Sequence, residues 1–128
     1  MKNKFEHLVQ TVAVLRGPDG CPWDKKQTHK SLIRCLQNES QELIDAIENH
    51  DDENMKEELG DVLLQVLMNA QIAQEEGKFS IEDVIVYLDE KLHRRHPHVF
   101  GDHVKAASPE EALAVWREMK QKERASKK

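Results

Sequence analysis

The chain is poor in several features that would point to other classes of protein. Its two cysteines, Cys21 and Cys35, have no CxxC spacing and no dense framework around them, so both read as reduced thiols rather than as a disulfide scaffold. Aromatic residues are only 5%, and the apolar residues recur at helical rather than alternating spacing, which argues for an all-α protein. The longest apolar runs are broken by Gln65 and Asn69, and the first residues, MKNKFEHLVQ, contain no signal-type apolar region. No membrane role is therefore expected, and the cytoplasm is the expected compartment. Positive charge is also short: the net charge is −5 and the pI about 5.8, which removes any broad electrostatic case for nucleic acid.

What remains is a chain of 128 residues, enough for a single domain with one core. Phe5, Leu8, Val9, Val12 and Leu15 mark a first amphipathic helix, broken by Gly17-Pro18-Asp19-Gly20. A loop with Trp23 and Lys25 follows, and Gln27-Thr28 leads into a long second helix. Trp23 reads either as a cap on the core under that loop or as a stacking surface for a base. Asp51 or Asp52 caps a third helix, which Glu76-Gly77 ends. Ser80 starts a fourth, which Pro97 stops, and Ser108-Pro109-Glu110-Glu111 opens a fifth with a capping box. Gly60 inside the third helix costs about 1 kcal/mol relative to Ala, which a close backbone approach would justify. Residues 121–128 or so form a basic tail, the last few of which are expected to fray.

The centre of the sequence is the stretch from Glu39 to Asp61. Glu39 with Glu42, and Glu58 with Asp61, are acidic pairs three residues apart, so each pair points one way from its helix. If the chain turns back near Asp51, Glu42 and Glu58 lie nine and seven residues from the turn, and Glu39 and Asp61 twelve and ten. Four carboxylates then converge. Desolvated like charges repel unless something compensates them, and an oxygen-only donor set without Cys or His suits Mg²⁺ or Mn²⁺ rather than zinc.

The alternative, ordinary solvated charges, conflicts with the helical pattern. Leu32, Leu36, Leu43, Ala46 and Ile47 form an apolar stripe with Glu39 in its middle and Glu42 on its edge. The next helix is apolar nearly all round from Leu59 to Ala73, and its polar exceptions, Glu58, Asp61, Gln65 and Asn69, fall on one strip. Such a helix is expected to be buried, with a second subunit as its cover, so a homodimer or higher homo-oligomer is expected.

Near the end of the fourth helix, Lys91, Arg94 and Arg95 form a cationic segment with His93, His96 and His98 around it. Arg forks and Lys point charges suit phosphate oxygens, whereas Pro97 interrupts any regular metal-binding His spacing. Phosphate binding is the preferred reading, with a solvated basic end complementing the helix dipole as the alternative.

These residues together closely resemble the MazG family of nucleoside triphosphate pyrophosphohydrolases. The matching segments are Gly20-Cys21-Pro22-Trp23-Asp24 with Gln27-Thr28, Glu39-x-x-Glu42, Glu58-Leu59-Gly60-Asp61, Ala73-Gln74-Glu75-Glu76-Gly77, and Lys91-Leu92-x-Arg94-Arg95-His96-Pro97-His98-Val99-Phe100. The resemblance implies an all-α bundle of about five helices, its four-helix core completed by dimerisation. It also implies Mg²⁺-dependent hydrolysis of an NTP or dNTP to the monophosphate and pyrophosphate, with a nucleotide-pool house-cleaning role. It implies that Glu39, Glu42, Glu58 and Asp61 are the catalytic metal ligands. Lys91 and Arg95 match positions associated with the triphosphate, and Trp116 and Lys120 a C-terminal pair linked with nucleotide binding; Trp23, Lys25, Asn69 and Arg94 complete the candidate substrate-binding set. Asn38 departs from the family, where many relatives have Glu, and either Glu39 or Glu42 could be the general base. Two rivals stand beside this reading: a related enzyme dedicated to dUTP, dCTP or phosphoribosyl-ATP, and a non-catalytic helical module whose acidic cluster binds a structural cation or a basic partner.

Overall fold

The structure, a computed structural model, describes residues 2–102 and 105–126. It is all-α, with no strand among the described residues: α1 (Lys2–Leu15), α2 (Pro22–Lys26), α3 (Leu32–Glu48), α4 (Asp52–Glu75), α5 (Ile81–Arg95), α6 (Pro97–Phe100) and α7 (Pro109–Ser126). The five long helices are those that the apolar periodicity predicts. The two short ones lie where the sequence reads as loop, and each has Pro at its start, where a missing N–H costs nothing. The basic tail is helical as far as Ser126, and its last two residues, expected to fray, lie outside the described residues.

The described residues fall into two compact units, Met1–Ile81 and Glu82–Lys128. In the first, α3 and α4 form the hairpin that places the acidic pairs. Its turn is built locally: His50 takes a left-handed φ of 52°, and the Asp51 carboxylate caps α4 by accepting from Asn54 N–H at 3.1 Å. Val12, Leu32, Leu67, Met68 and Ile72 form the core where α1 meets this hairpin, with Phe5, Val9, Cys35 and Ile81 packed against it. At the end of α1 the chain reverses tightly, and Cys21 N–H donates to the Leu15 carbonyl at 2.8 Å. A Cβ at Gly20 would collide with the carbonyl oxygens of Leu15 and Val14, so only glycine fits there.

Arg16 ties this reversal to the far end of α4. Its guanidinium makes two 2.9 Å bonds to the Glu75 carboxylate, and it donates to the carbonyls of Asp24 and Gln27. The α4 helix then stops at Gly77, whose φ of 73° is the left-handed conformation of a helix C-terminus, and Lys78 N–H returns to the Ala73 carbonyl.

Within one protomer the apolar faces are covered only in part, as the expected second subunit requires, and the expectation for Gly60 changes. The α4 helix is not buried all round in this chain: Leu67, Met68, Ala70, Ile72 and Ala73 are buried, but Leu59, Leu63, Leu64 and Val66 are exposed. The stripe on α3 divides similarly, with Leu32 and Ala46 buried and Leu36 and Ile47 exposed. Periodicity reports which positions are apolar, and one protomer has too few helices to cover them all. Gly60 serves no close approach, because a Cβ there would meet nothing within 4 Å.

The second unit holds α5, α6 and α7. Ser108 caps α7 by accepting from Glu111 N–H at 3.2 Å. Glu111 reaches back to the N–H of Ala107 rather than to that of Ser108 itself, so the capping box closes one residue early.

Candidate active site

The hairpin brings the four acids together. Glu39, Glu42, Glu58 and Asp61 each offer a carboxylate oxygen, and these oxygens lie within 4.8 Å of one another. Glu58 is buried, at 8% exposure, Glu39 and Asp61 are half-buried, and Glu42 is exposed. One oxygen each of Glu39 and Glu58 is shielded from solvent and has no hydrogen-bond partner. An orphaned buried carboxylate oxygen is costly, and a cation held by the cluster would give both acids a compensating partner. The donor set is all oxygen, which fits a hard divalent cation.

Electrostatics agree with the geometry. Burial, then the neighbouring carboxyl of Glu42, then the charges of Asp61 and Glu39 push the Glu58 carboxyl up to about 7 from an ordinary 4.5. Glu39 is raised for the same reasons, burial first and then Glu42. Near pH 7 the Glu58 carboxyl is thus about half protonated, and a cation would displace that proton.

The polar strip on α4 continues beyond the acids. Gln65 is buried at 7% exposure, and its Oε1 has no hydrogen-bond partner. Asn69 Nδ2 donates to the Gln65 carbonyl at 2.8 Å, and His29 Nδ1 is 2.8 Å from Asn69 Oδ1. His29, Gln65 and the carbonyl-binding Arg16 are absent from the site set that the sequence suggests. Helical spacing already sets Gln65 on the polar strip with Asp61, though without a role, whereas His29 lies in the segment between α2 and α3, where no periodicity points. Trp23, on α2, is 56% exposed, which removes its reading as a cap on the core. Lys25 is exposed and donates to the Pro18 carbonyl at 3.2 Å.

The remaining candidates belong to the second unit. Arg94 and Arg95 both pair with Glu123 at 3.0 Å, and Arg95 lies over the Trp116 ring, 4.8 Å from its centroid. The two guanidinium groups hold the Glu123 carboxyl down to about 2. Arg95 is therefore an ordered, mostly covered cation rather than a solvated helix end. Glu123 is its unforeseen partner, since the sequence shows it only as a lone acid in a basic tail. Lys91 is half-buried and Lys120 exposed. His96 Nδ1–H donates to the Leu92 carbonyl at 2.6 Å, and its ring lies 5.2 Å from that of Trp116. His96, Trp116, Pro109, Ala112 and Leu113 line an open pocket of about 490 Å³.

The sequence profile of the MazG nucleotide pyrophosphohydrolase domain matches residues 27–100, more than half of the chain and all four clustered acids. The chain belongs to the MazG family. It is 56% identical over 97% of its length to the nucleoside triphosphate pyrophosphohydrolase/pyrophosphatase MazG of Thermotoga maritima, covering 47% of that protein. It is 44% identical over 98% of its length to the nucleoside triphosphate pyrophosphohydrolase of Escherichia coli K12, covering 48% of it. The chain thus spans about half the length of these MazG relatives. The crystal structure of a mazG-related protein from Thermotoga maritima superposes with a TM-score of 0.73 at 32% identity, covering 91% of this chain and 98% of that one. The MazG match includes Asn69, Lys91, Arg94 and Arg95, whereas Trp23, Lys25, Trp116 and Lys120 lie outside it. Among the described residues no helix is long and apolar enough to cross a membrane.

Proposed function

We propose that this chain hydrolyses nucleoside triphosphates to the monophosphate and pyrophosphate, using Mg²⁺, or Mn²⁺ in its place, held by Glu39, Glu42, Glu58 and Asp61. The observation that carries this reading is the convergence of four carboxylates on one cluster, two of them with orphaned buried oxygens, in a chain of the MazG family. A hard divalent cation held by these four acids would supply Lewis-acid chemistry, activating water and offsetting phosphate charge. The protein's own part is to hold the ion on two rigid helices and to manage one proton. Glu58 and Asp61 sit on the same face of α4, and Glu58 is the most covered of the four acids. Glu42, the exposed member, interacts with both Glu39 and Glu58 and is the carboxylate best placed to take the proton of the attacking water.

Lys91, Arg94, Arg95, Trp116 and Lys120 are proposed as phosphate- and base-binding groups on their chemistry. A phosphate approaching Arg94 or Arg95 would compete with Glu123 for the guanidinium N–H groups. A homodimer is proposed because the exposed residues Leu36, Ile47, Leu59, Leu63 and Val66 on α3 and α4 are apolar and otherwise face water. Nucleotide-pool house-cleaning in the cytoplasm is the role consistent with such an activity.

The test is a panel of the common NTPs and dNTPs with Mg²⁺, reading monophosphate and pyrophosphate together, before and after exhaustive chelation. Equimolar monophosphate and pyrophosphate that vanish with the metal and return with it support the reading. Undiminished turnover in metal-free buffer, or orthophosphate as the product, defeats it. Binding of Mg²⁺ with no turnover of any nucleotide would favour the non-catalytic module.

A further inference from the structure

The strip on α4 that carries Glu58 and Asp61 runs on to Gln65 and Asn69, and there the side-chain hydrogen bonding is directional. Asn69 Nδ2 donates to the Gln65 carbonyl, which can only accept, so the amide cannot be turned over. Its Oδ1 then faces His29 Nδ1 at 2.8 Å, which requires the proton of His29 to be on Nδ1. The other ring nitrogen, Nε2, lies 3.5 Å from Glu76 Oε1. Each amide group of Asn69 is thus held by one partner, leaving one N–H and one Oδ1 lone pair unused. A paired donor and acceptor of fixed orientation is what reads a base edge or a sugar hydroxyl.

Distance places this amide where the nucleoside part of a substrate would lie. Asn69 is eight residues beyond Asp61 on one strip of α4, about 12 Å along the axis. That is on the order of the span from a cation-bound phosphate to the far edge of a nucleoside. Gln65 lies between them, buried, with an unpartnered Oε1. His29 is anchored by neither the core nor the metal ligands, and its side chain is 41% exposed.

We infer that His29 is a positioning residue, which locks the Asn69 amide so that this amide reads the nucleoside portion of the substrate. The inference rests on the proposed nucleoside triphosphate hydrolysis and adds to it the element that discriminates between nucleosides. Losing a binding interaction that is equal in the ground and transition states raises KM and leaves kcat alone.

The experiment compares wild type, His29→Ala, His29→Gln, Asn69→Ala and Glu76→Gln on the NTP and dNTP panel, with thermal melts of each. For His29→Ala and Asn69→Ala, KM for the preferred nucleotide is expected to rise about tenfold with kcat within a factor of two, and the differences between nucleotides to flatten. His29→Gln, whose amide can still donate to Asn69, should recover part of the selectivity, and Glu76→Gln should behave as wild type. Loss of selectivity among bases identifies a base edge as what is read, and loss of the ribose-to-deoxyribose ratio identifies a sugar hydroxyl. Wild-type KM and selectivity in a folded, active His29→Ala overturn the inference while leaving the proposed hydrolysis intact. Equal defects in Glu76→Gln and His29→Ala overturn it too, because His29 would then act by anchoring the end of α4. If the wild-type protein turns over no nucleotide, the proposed function fails and the inference falls with it.

Discussion

A carboxyl that titrates near neutrality lies where the cation is proposed to bind, and this makes metal affinity depend on pH in a calculable way. The Glu58 carboxyl is pushed up to about 7, chiefly by burial and by Glu42 beside it, so it is mostly protonated at pH 6 and mostly ionised at pH 8. A cation requires the ionised form, hence binding at pH 6 should release about 0.9 proton from Glu58 and at pH 8 about 0.1. The same occupancy makes apparent affinity about tenfold weaker at pH 6 than at pH 8, falling tenfold with each further unit of acid. Glu39, raised in the same direction, adds to the release at the lower pH. Titration calorimetry with Mg²⁺ or Mn²⁺, in buffers of different ionisation enthalpy, counts the protons directly. In Glu58→Gln the Glu58 part of the proton release should vanish, whatever affinity remains. Affinity that is flat from pH 6 to 8 with no proton release would refute the argument, since all four acids would then be ionised before the cation arrives.

Other outcomes follow from the same contacts. Without metal, the raised carboxyls of Glu58 and Glu39 favour the folded state at low pH, so stability should fall as pH rises from about 4.5 through 7, and saturating metal should remove that slope. A melting temperature that rises across this window in metal-free buffer contradicts it. Glu58→Gln and Asp61→Asn should each lower turnover by about two orders of magnitude or more while the metal-free protein melts no lower than wild type; wild-type turnover in either folded variant would exclude that residue as a ligand. Arg16→Ala removes two bonds to Glu75 and one donor from each of the Asp24 and Gln27 carbonyls, the first of which keeps Gln27 N–H; with Glu75 38% exposed the expected loss is about 2–3 kcal/mol, a fall of roughly 10 °C by calorimetry. An unchanged melt would mean that water replaces all four bonds. Glu123 is depressed to about 2 by Arg95 and Arg94, so its contribution is present above about 4.5 and fades toward pH 2, and acid unfolding of Glu123→Gln should lack that component. Sedimentation at micromolar concentration should show a dimer, and a compact monomer would mean that the exposed faces of α3 and α4 tolerate water.

The sequence alone determined the helices and the acid pairs, because both are local. Residues three or four apart meet on a helix whatever lies around it, so Glu39 with Glu42, Glu58 with Asp61, the Asp51 cap and the Gly77 stop are readable from spacing and turn chemistry. Counting residues from the turn even set the two pairs at matching heights. Tertiary structure decided what spacing cannot carry: how much of each apolar face one protomer covers, and which distant groups meet. Leu59 and Leu67 are equally apolar in sequence, yet only Leu67 meets the core that α1 completes. Glu123 looks like a stray acid until α7 sets it against Arg94 and Arg95. His29 shows no pattern at all until the chain folds it onto Asn69, forty residues away, because a hydrogen bond between distant segments leaves no trace in the periodicity of either.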